Sequence, residues 1–367
     1  MSIAINALFF LLLLPILVDV VLLVKWAFQN KTITQKLAIR PKVSILVAAR
    51  NEGANIGQCI ESLIALNYPV SLVEILIGDD GSEDDTFAKA SSFLSEHPNL
   101  KVYRITKNIP GQLGKANVLA QLASNAQGEF LFFTDADIRV PPDWVEGMLE
   151  GFSPKVGLVS GVTAISGNSL WERCQRIDWL FALGMVKVVN DFGYSVTAVG
   201  NNMAVSRKAY DAVGGYAAIP FSVTEDFELL KQIKQKGFKG NQLFQQNTLA
   251  WSAPEPHLHR LLHQRKRWMK GALNLPLPLV TVLAIQALFF PSLILAFFII
   301  PSLGLFAIVA KLLCQSIFIG YVMSKVGLKE SLAMLLFYEL YSLVFSLLLS
   351  MFYFLPIKMN WKGRKYN

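Results

Sequence analysis

Apolar residues cluster at both ends of the chain, whereas the middle alternates short apolar stretches with polar loops. The first apolar run covers residues 3–24. Three others lie near the C-terminus, at about 279–300, 303–323 and 332–355. Each of the four runs is about as long as the 20 or so residues that a helix needs to cross a bilayer. The pattern predicts three membrane-associated parts: an N-terminal transmembrane anchor over 1–28, transmembrane or interfacial helices over 276–356, and a basic tail over 357–367.

The first run is predicted to be a retained anchor, because it lacks the marks of a cleaved signal peptide. It has no basic start and no clear small-residue cleavage site. It ends at Lys25, and Lys31 and Lys36 follow. Asp19 lies within the run. Since an isolated charge in the centre of a membrane is costly, we expect Asp19 to lie near the headgroups.

The side of the membrane that carries the C-terminus stays open. If the first run crosses once into a cytoplasmic middle domain, three further crossings would put the tail outside. The tail is basic, and basic segments favour the cytoplasmic side. One solution is that part of 275–311, which four prolines interrupt, lies in the interface or re-enters.

The middle region, about 40–275, has the pattern of an α/β domain. Strand-like runs begin the segments 42–53, 73–86, 101–106 and 129–140. Helical spacing in the intervening segments is typical of a mostly parallel sheet covered on both faces, whose ligands bind beyond the carboxyl ends of the strands. Three of these strands end in polar residues: Arg50, Asn51 and Glu52; Asp79 and Asp80; Asp135 and Asp137.

Composition indicates a multi-pass membrane protein with a cytosolic domain. The chain is 53% hydrophobic and only 16% charged, which is too apolar for a soluble protein of 367 residues. The net charge of +8 does not indicate a nucleic-acid partner, because the cations gather beside the apolar runs, where they suit anionic lipid. The three cysteines are scattered, so no disulfide framework is expected, which fits a reducing cytosol.

The segment TDAD, residues 134–137, places Asp135 and Asp137 at the end of a strand. Two such carboxylates can lean toward one cation. Hard oxygen ligands suit Mg²⁺ or Mn²⁺, which usually complete their shell with substrate phosphates. An Asx-rich turn explains this segment equally well when it is taken alone.

The segment DDGSEDDT, residues 79–86, has two interpretations that can hold together. Ser82 or Asp84 can cap the following helix. Asp79 and Asp80 remain at the strand end, where a carboxylate could accept the N3–H of a uracil ring.

The segment GQLGKAN, residues 111–117, places two glycines before Lys115 at a predicted helix start. Such a start can bind an anion, although the spacing is not that of a Walker A loop. Lys115 is predicted to contact a diphosphate or the nucleotide. A solvated lysine would fit the segment as well.

The segment VTEDFELL, residues 223–230, places Thr224, Glu225 and Asp226 at a predicted helix start. Capping by Thr224, with acids at the positive end of the helix dipole, is a sufficient explanation. A carboxylate that projects from this position into a cleft can also act as a general base.

The segment QRKRW, residues 264–268, is typical of the basic collar beside a membrane anchor. It also puts Gln264 and Trp268 on one helical face, with Arg267 beside them. Arginine can bind a diphosphate through two prongs. The nearby His259 and His263 have the spacing of a zinc helix but lack the glutamate of H-E-x-x-H, so zinc is not expected.

Six motifs stand in order over about 40–270: ARNE, DDGS, DAD, GNNMA, TED and Q-x-x-R-W. Each is weak alone, but the ordered set resembles the family 2 membrane glycosyltransferases. That family includes ceramide glucosyltransferases and the cellulose and hyaluronan synthases. The resemblance implies a cytosolic GT-A (Rossmann-like) catalytic domain over 40–275, a UDP-sugar donor, and inversion at the anomeric carbon in one displacement.

The resemblance also implies a role for each motif. The uridine pocket is expected to contain Ala48, Arg50 and Glu52. The base-binding carboxylates would be Asp79 and Asp80, and the metal and diphosphate motif Asp135 and Asp137. Asp226 would be the catalytic base, with Glu225 beside it. The leaving diphosphate and the acceptor would be held by Gln264, Arg267 and Trp268.

The acceptor stays open between a lipid and a polysaccharide. A lipid acceptor, such as a ceramide, a diacylglycerol or an isoprenoid, is favoured because at most three C-terminal spans are few to line a polymer channel. A processive synthase of the cellulose, hyaluronan or poly-N-acetylglucosamine type would need a partner subunit to supply more helices. An inactive membrane scaffold is a third interpretation, but its expected mark, loss of an aspartate or of Arg267 and Trp268, is not seen.

The resemblance places the catalytic domain in the cytoplasm, at the plasma or inner membrane if the source is bacterial.

Overall fold

The computed structural model describes residues 3–29 and 39–355, and the backbone of two short strands at 359–361 and 364–366. Lys31 and Lys36, which follow the predicted anchor, lie outside the described residues. Lys358 and Lys362 of the basic tail do so as well.

A seven-stranded sheet runs through the middle region, in the order β3-β2-β1-β4-β8-β6-β9, and a small sheet beside it has the order β5-β10-β7. The strands are β1 Val43–Ala49, β2 Val73–Asp79, β3 Leu100–Arg104, β4 Phe130–Asp135, β5 Ile138–Arg139, β6 Val156–Ser160, β7 Val162–Ile165, β8 Asn202–Ser206, β9 Lys239–Gln242 and β10 Leu249–Ser252. Only β8 runs antiparallel to its neighbours in the large sheet. The prediction of a mostly parallel sheet is therefore confirmed.

Helices cover both faces of this sheet. They are α2 Ile56–Ile64, α3 Thr86–Ser91, α4 Gly114–Asn125, α5 Trp144–Leu149, α6 Leu170–Asp191, α7 Arg207–Ala212, α8 Gly215–Ala218, α9 Glu225–Gln235 and α10 Leu258–Ala272. Successive strand residues point to opposite faces. Ile45 accordingly packs in the core with α2, whereas Leu46 packs in the core with α4.

The strand register brings the polar strand ends side by side. Ala48 on β1 pairs with Gly78 on β2 and with Asp135 on β4, and Ala49 pairs with Asp79. Gly78 also lets α4 approach the sheet closely, because a Cβ there would lie 2.4 Å from Cγ1 of Val118. This close approach sets the position of the first turn of α4 above the strand ends.

Four helical stretches among the described residues are long and apolar enough to cross a membrane: Ile5–Phe28, Leu277–Ile299, Pro301–Lys325 and Leu332–Phe354. The corresponding helices are α1 Ile3–Gln29, α11 Leu277–Ala287, α12 Phe289–Ile299, α13 Pro301–Lys325 and α14 Leu332–Phe354. The second stretch is broken into α11 and α12 at Leu288. The tail forms a hairpin of β11 Met359–Trp361 and β12 Arg364–Tyr366.

Asp19 is buried among the membrane helices and is not an isolated charge. Its carboxylate accepts a hydrogen bond of 2.7 Å from Lys311 Nζ, which also bonds Gln286 Oε1 at 2.8 Å. Both charged side chains are less than one-tenth exposed. The premise of an isolated charge is therefore wrong, because an ion pair between α1 and α13, more than 290 positions apart in the chain, neutralises the charge within the protein. The headgroup level of Asp19 stays a prediction.

Removing either partner of this pair should destabilise the protein, because the remaining charge stays buried without compensation. In soluble proteins such a loss typically costs about 3–5 kcal/mol. We expect Asp19→Leu and Lys311→Leu each to lower the melting temperature in detergent, and the double variant to recover part of the loss. Leu305→Ala, at an exposed position of α13, serves as the control. Strictly additive losses in the double variant would mean that the two charges are not coupled.

Candidate active site

One cavity of about 1000 Å³ lies at the carboxyl ends of β1 and β4, between α4, α6, α9 and α10. This cavity is lined by eleven of the twelve residues predicted to bind the donor or act in catalysis, and also by Asp137 of the predicted metal motif. They are Ala48, Arg50, Glu52, Asp80, Lys115, Asp135, Asp137, Glu225, Asp226, Gln264, Arg267 and Trp268. Asp79 is not among the lining residues. The structure thus brings together motifs that are more than 200 positions apart in the chain.

Hydrogen bonds connect the loops after β1 and β2 at the end of the cavity that the strand ends form. Arg50 Nη1 donates to the backbone carbonyl of Asp80. Asn51, which has a positive φ of 52°, donates its backbone N–H to Ser82 Oγ and accepts from the backbone N–H of Glu83. The hydroxyl oxygen of Ser82 therefore bonds the loop after β1 and does not cap α3.

Asp79 is buried behind this wall, and its Oδ2 accepts from the backbone N–H of Ser82 at 3.3 Å. Asp84 accepts from the backbone N–H groups of Gly53 and Thr86. The base-binding role of Asp79 stays a prediction, and Asp80 is the member of the pair that reaches the cavity.

Lys115, in the first turn of α4, links two acidic parts of the site. Its Nζ lies 2.5 Å from Asp135 Oδ1 and 3.1 Å from Glu225 Oε1. Burial disfavours the ammonium ion, but the charges of Asp135 and Glu225 outweigh it and raise the pKa of Lys115 above its ordinary value. Lys115 is therefore a fixed cation at neutral pH, and not a solvated side chain.

Asp226 is held by two backbone donors. Its Oδ2 accepts from the N–H of Gly200 and its Oδ1 from the N–H of Phe227, each at 2.8 Å. Burial, and then the neighbouring charge of Glu225, raise the pKa of Asp226 to about 6, although Lys115 and the two backbone donors oppose the rise. A carboxylate with this pKa is mostly ionised at neutral pH and is a stronger base than an ordinary aspartate.

Gly200, in the GNNMA motif, fits Asp226 because it has no side chain. A Cβ at this position would lie 2.8 Å from Asp226 Oδ2. Thr224 occupies the N-cap of α9 but makes no side-chain capping bond; its hydroxyl lies 3.2 Å from Ser222 Oγ. The prediction that Thr224 caps this helix with its side chain is therefore wrong. The acids of this motif, Glu225 and Asp226, line the cavity.

Asp135 and Asp137 fit a divalent cation by the chemistry of their oxygen atoms. Both line the cavity, and Ser252 Oγ lies 3.5 Å from Asp137 Oδ2. Among the described residues no cluster of three or more His, Cys, Asp and Glu side chains could hold a metal. A cation here would take two protein carboxylates and draw its other ligands from phosphate and water, as Mg²⁺ commonly does.

The α10 helix forms the opposite wall with the Q-x-x-R-W motif. Gln264 Nε2 lies 3.3 Å from Glu255 Oε1, and Arg267 Nη1 donates to the carbonyl of Val223 at 3.4 Å. Trp268 packs edge-on against Trp179 of α6, with ring centroids 4.7 Å apart. These contacts connect the loop before Asp226 with α6 and α10.

Arg265 and Asp178 support this wall, although no motif in the sequence predicts a role for them. The guanidinium carbon of Arg265 lies 4.0 Å from the centroid of the Trp268 ring, and Arg265 Nη2 lies 2.5 Å from Asp178 Oδ2. Arg265 is nearly fully buried. The only sequence signal for it is a second arginine in QRKRW that the basic-collar interpretation already explains.

The cavity continues into an apolar arm beside the membrane helices. On α6 this arm is lined by Trp179, Ala182, Leu183 and Val186, and at the end of α10 by Ala272 and Leu275. The membrane stretch that starts at Leu277 follows directly. A charged end that suits a nucleotide diphosphate and an apolar end that suits a lipid chain thus belong to one space.

Several known glycosyltransferases are similar to this chain. The model of glycosyl transferase family 21 matches residues 7–367. The chain is 31% identical over 234 residues to beta-monoglucosyldiacylglycerol synthase from Synechocystis sp., covering 63% of this chain and 48% of the relative. It is 26% identical over 232 residues to poly-beta-1,6-N-acetyl-D-glucosamine synthase from Staphylococcus epidermidis, covering 62% and 54%. The chain thus spans about half the length of these curated relatives.

A solved structure confirms the predicted GT-A fold. The mannosyltransferase PcManGT from Pyrobaculum calidifontis, in complex with GDP-Man and Mn²⁺, matches with a TM-score of 0.59 and 20% identity. The match covers 88% of this chain and 97% of that one. At this identity the likeness concerns the fold.

The Arg265–Asp178 pair should show energetic coupling in a double-mutant cycle. Bonds to charged groups are typically worth about 1.5–3 kcal/mol when shielded from water. We expect Arg265→Met and Asp178→Leu each to lower the melting temperature in detergent, with less than additive loss in the double variant. Arg265→Lys should be intermediate, because it keeps a charge but not the planar stacking on Trp268. Arg260→Met, exposed on the same helix, is the control, and an uncoupled cycle would contradict the prediction.

Proposed function

This chain belongs to glycosyl transferase family 21, and we propose that it transfers a hexose-type sugar from a UDP-sugar to a lipid acceptor in the membrane. The observation that carries the proposal is the single cavity that joins the acidic strand ends to the apolar arm on α6 and α10. A donor bound at the acidic end and a lipid in the apolar arm would meet at Asp226. Beta-monoglucosyldiacylglycerol synthase, a relative named for a glycolipid product, supports the same acceptor class.

Asp226 is the proposed general base. The hydroxyl oxygen of the acceptor attacks the anomeric carbon of the donor, the bond from that carbon to the UDP oxygen breaks, and the hydroxyl proton passes to Asp226. One displacement of this kind inverts the anomeric centre. The bonds from Gly200 and Phe227 fix the carboxylate, so little reorganisation is needed for it to accept the proton.

Lys115 and Arg267 are proposed to stabilise the leaving diphosphate. Negative charge grows on this group as the sugar departs, and fixed cations in a water-poor site stabilise it strongly. A divalent cation held by Asp135 and Asp137, either Mg²⁺ or Mn²⁺, would offset part of the same charge when bound. The mannosyltransferase of the same fold was solved in complex with Mn²⁺, which supports a divalent metal as the cofactor.

The nucleotide is proposed to lie at the ends of β1 and β2. Ala48, Arg50 and Glu52 would surround the uridine, and Asp80 would accept the N3–H of the uracil ring. Residues 40–275 would form the cytoplasmic catalytic domain, because a UDP-sugar is a cytoplasmic metabolite.

A polymer is the competing product, and poly-beta-1,6-N-acetyl-D-glucosamine synthase is the relative that favours it. The test uses purified protein in nanodiscs of native lipid extract, with a panel of radiolabelled UDP-sugars and Mn²⁺. We expect label in the organic phase with one or two of the sugars. Label in an ethanol-insoluble polymer would replace the lipid proposal by a polysaccharide synthase, and no UDP release with any sugar would support an inactive scaffold.

The pH profile should report Asp226. A base must be deprotonated to accept a proton, so activity is present above the pKa of the carboxyl and is lost as the pH falls through it. With the pKa raised to about 6, kcat/KM should decline about tenfold per pH unit below that value. A profile that stays flat down to pH 5 would remove Asp226 from the role of base.

Asp226→Asn should abolish most of the transfer. Positioned general bases typically contribute about 10²- to 10⁴-fold, so we expect kcat to fall at least about 100-fold while UDP binding is retained. Glu228→Gln, on the same helix but not in the cavity wall, is the matched control and should stay within about twofold. A loss of UDP binding in Asp226→Asn would point to a structural role instead.

A further inference from the structure

Helix α14 is bonded to the middle domain at both of its ends. Just before its first turn, Glu330 forms an ion pair with Arg173 on α6. At its last turn, Lys266 of α10 donates from Nζ to the backbone carbonyls of Phe352, at 3.3 Å, and Leu355, at 3.0 Å. Lys266 is nearly fully buried at this contact.

The contacts with α6 and α10 continue between these ends. The hydroxyl of Tyr338 donates to Asp178 Oδ1 at 3.3 Å, and Tyr341 packs against Trp171 with centroids 6.1 Å apart. Farther along, the ring of Phe352 packs edge-on against His263 at 5.1 Å. The helix therefore lies along the domain over most of its length.

This arrangement conflicts with a crossing by α14. A helix of 23 residues is about 34 Å long, and a crossing helix places its ends on opposite sides of a hydrocarbon core about 30 Å thick. One folded domain on one side of the membrane cannot bond both ends of such a helix. Length and hydropathy alone do not separate the two arrangements.

The other membrane helices are consistent with crossings. The C-terminal end of α1 reaches the domain, where Trp26 packs on Phe244 with centroids 5.1 Å apart. The C-terminal end of α13 does the same, with Val322 beside Gly184 of α6. The broken pair α11–α12 starts directly after α10 and packs its Phe289 and Ala296 with the N-terminal half of α1. These three segments alternate in direction as three crossings require.

The outward face of α14 is an apolar stripe at helical spacing. It consists of Leu332, Leu336, Leu340, Val344, Leu347 and Met351, each between 46% and 69% exposed. The opposite face packs inward against the protein, where Gln315 Nε2 donates to Glu339 Oε2 at 2.9 Å. A helix with this division can lie in a membrane surface with its apolar face about 5–10 Å deep.

We propose that α14 does not cross the membrane but lies in the leaflet next to the catalytic domain, with its stripe in the acyl chains of that leaflet. The chain then crosses three times, through α1, α11–α12 and α13. The tail that follows α14 returns to the side of the catalytic domain, where strand β11 lies beside α10.

Charge complementarity supports this leaflet as the partner of the stripe. The tail over 357–367 carries four cations, Lys358, Lys362, Arg364 and Lys365, and no acidic residue. Basic residues beside a membrane helix favour the anionic cytoplasmic face. Three crossings put the tail on that face, which removes the conflict that four crossings create.

Labelling of single cysteines tests the side of the tail. Ser2→Cys, Glu83→Cys and Asn367→Cys are made in a Cys314→Ser background, since Cys59 and Cys174 are buried. Right-side-out and inside-out vesicles are treated with a membrane-impermeant maleimide. We expect Asn367→Cys to follow Glu83→Cys, with at least about tenfold more labelling in inside-out vesicles, and Ser2→Cys to show the reverse. Asn367→Cys labelled together with Ser2→Cys would overturn the proposal.

Spin-label depth tests the position of the helix itself. Val344→Cys, at the middle of the stripe, is compared with Leu313→Cys, an exposed position at the middle of α13. The accessibility ratio for oxygen and a water-soluble nickel complex should place the label at Val344 several ångströms shallower than the label at Leu313. Equal depths would mean that α14 crosses. Neither experiment measures enzymatic activity. The proposed position of α14 can therefore be tested independently of the proposed reaction.

Discussion

The packing of α6 against α10 is the contact on which the rest of the structure depends. Trp179 and Trp268 meet edge-on, and Arg265 covers the Trp268 ring while it pairs with Asp178. On its other side α6 packs on α13, where the ring of Phe181 lies 6.0 Å from that of Phe318. One helix therefore lines the cavity, supports the Q-x-x-R-W wall and holds the membrane helices. A shift of α6 would change the proposed donor site and the apolar arm together.

The electrostatics of the cavity follow from its crowded carboxylates. Asp135, Glu225 and Asp226 lie near one partly buried cation, Lys115, which makes ion pairs with the first two. Burial and the negative charge of Glu225 raise the pKa of Asp226, and this rise exceeds the opposing effects of Lys115 and of the two backbone donors. Glu225 thus has two effects, because its charge helps to keep Lys115 protonated and also makes Asp226 a stronger base. A diphosphate that binds Lys115 would compete with Asp135 and Glu225 for it, so donor binding and the basicity of Asp226 are expected to be coupled.

Much of the fold and the site could be predicted because their signals are local. Strands with runs of β-branched residues, and the motifs that follow them, can be recognised within about ten positions, and the register then brings Ala48 and Asp135 together. Pairings across long separations leave no such signal. Asp19 and Lys311 each look unfavourable in an apolar helix until they are seen as a pair, and Arg265 resembles part of a basic collar. Asp79 and Asp80 are adjacent in sequence, yet only Asp80 lines the cavity, because neighbouring residues at a strand end point in different directions.

The membrane arrangement shows why hydropathy and charge can disagree. A hydropathy criterion considers the length and the polarity of a helix, and α14 is both long enough and apolar enough to cross a membrane. It does not measure what each face touches, and Tyr338 and Phe352 are buried against α6 and α10 rather than lipid. The positive charge of the tail indicates the side of the membrane on which the tail lies, and it carries no information about helix length. When the two signals conflict, contacts at both ends of the helix decide, because a rigid domain can bond both ends only when they lie on its own side. An acceptor lipid would then find the apolar arm at the level of its own leaflet, with its polar head near Asp226 and its chains still in the bilayer.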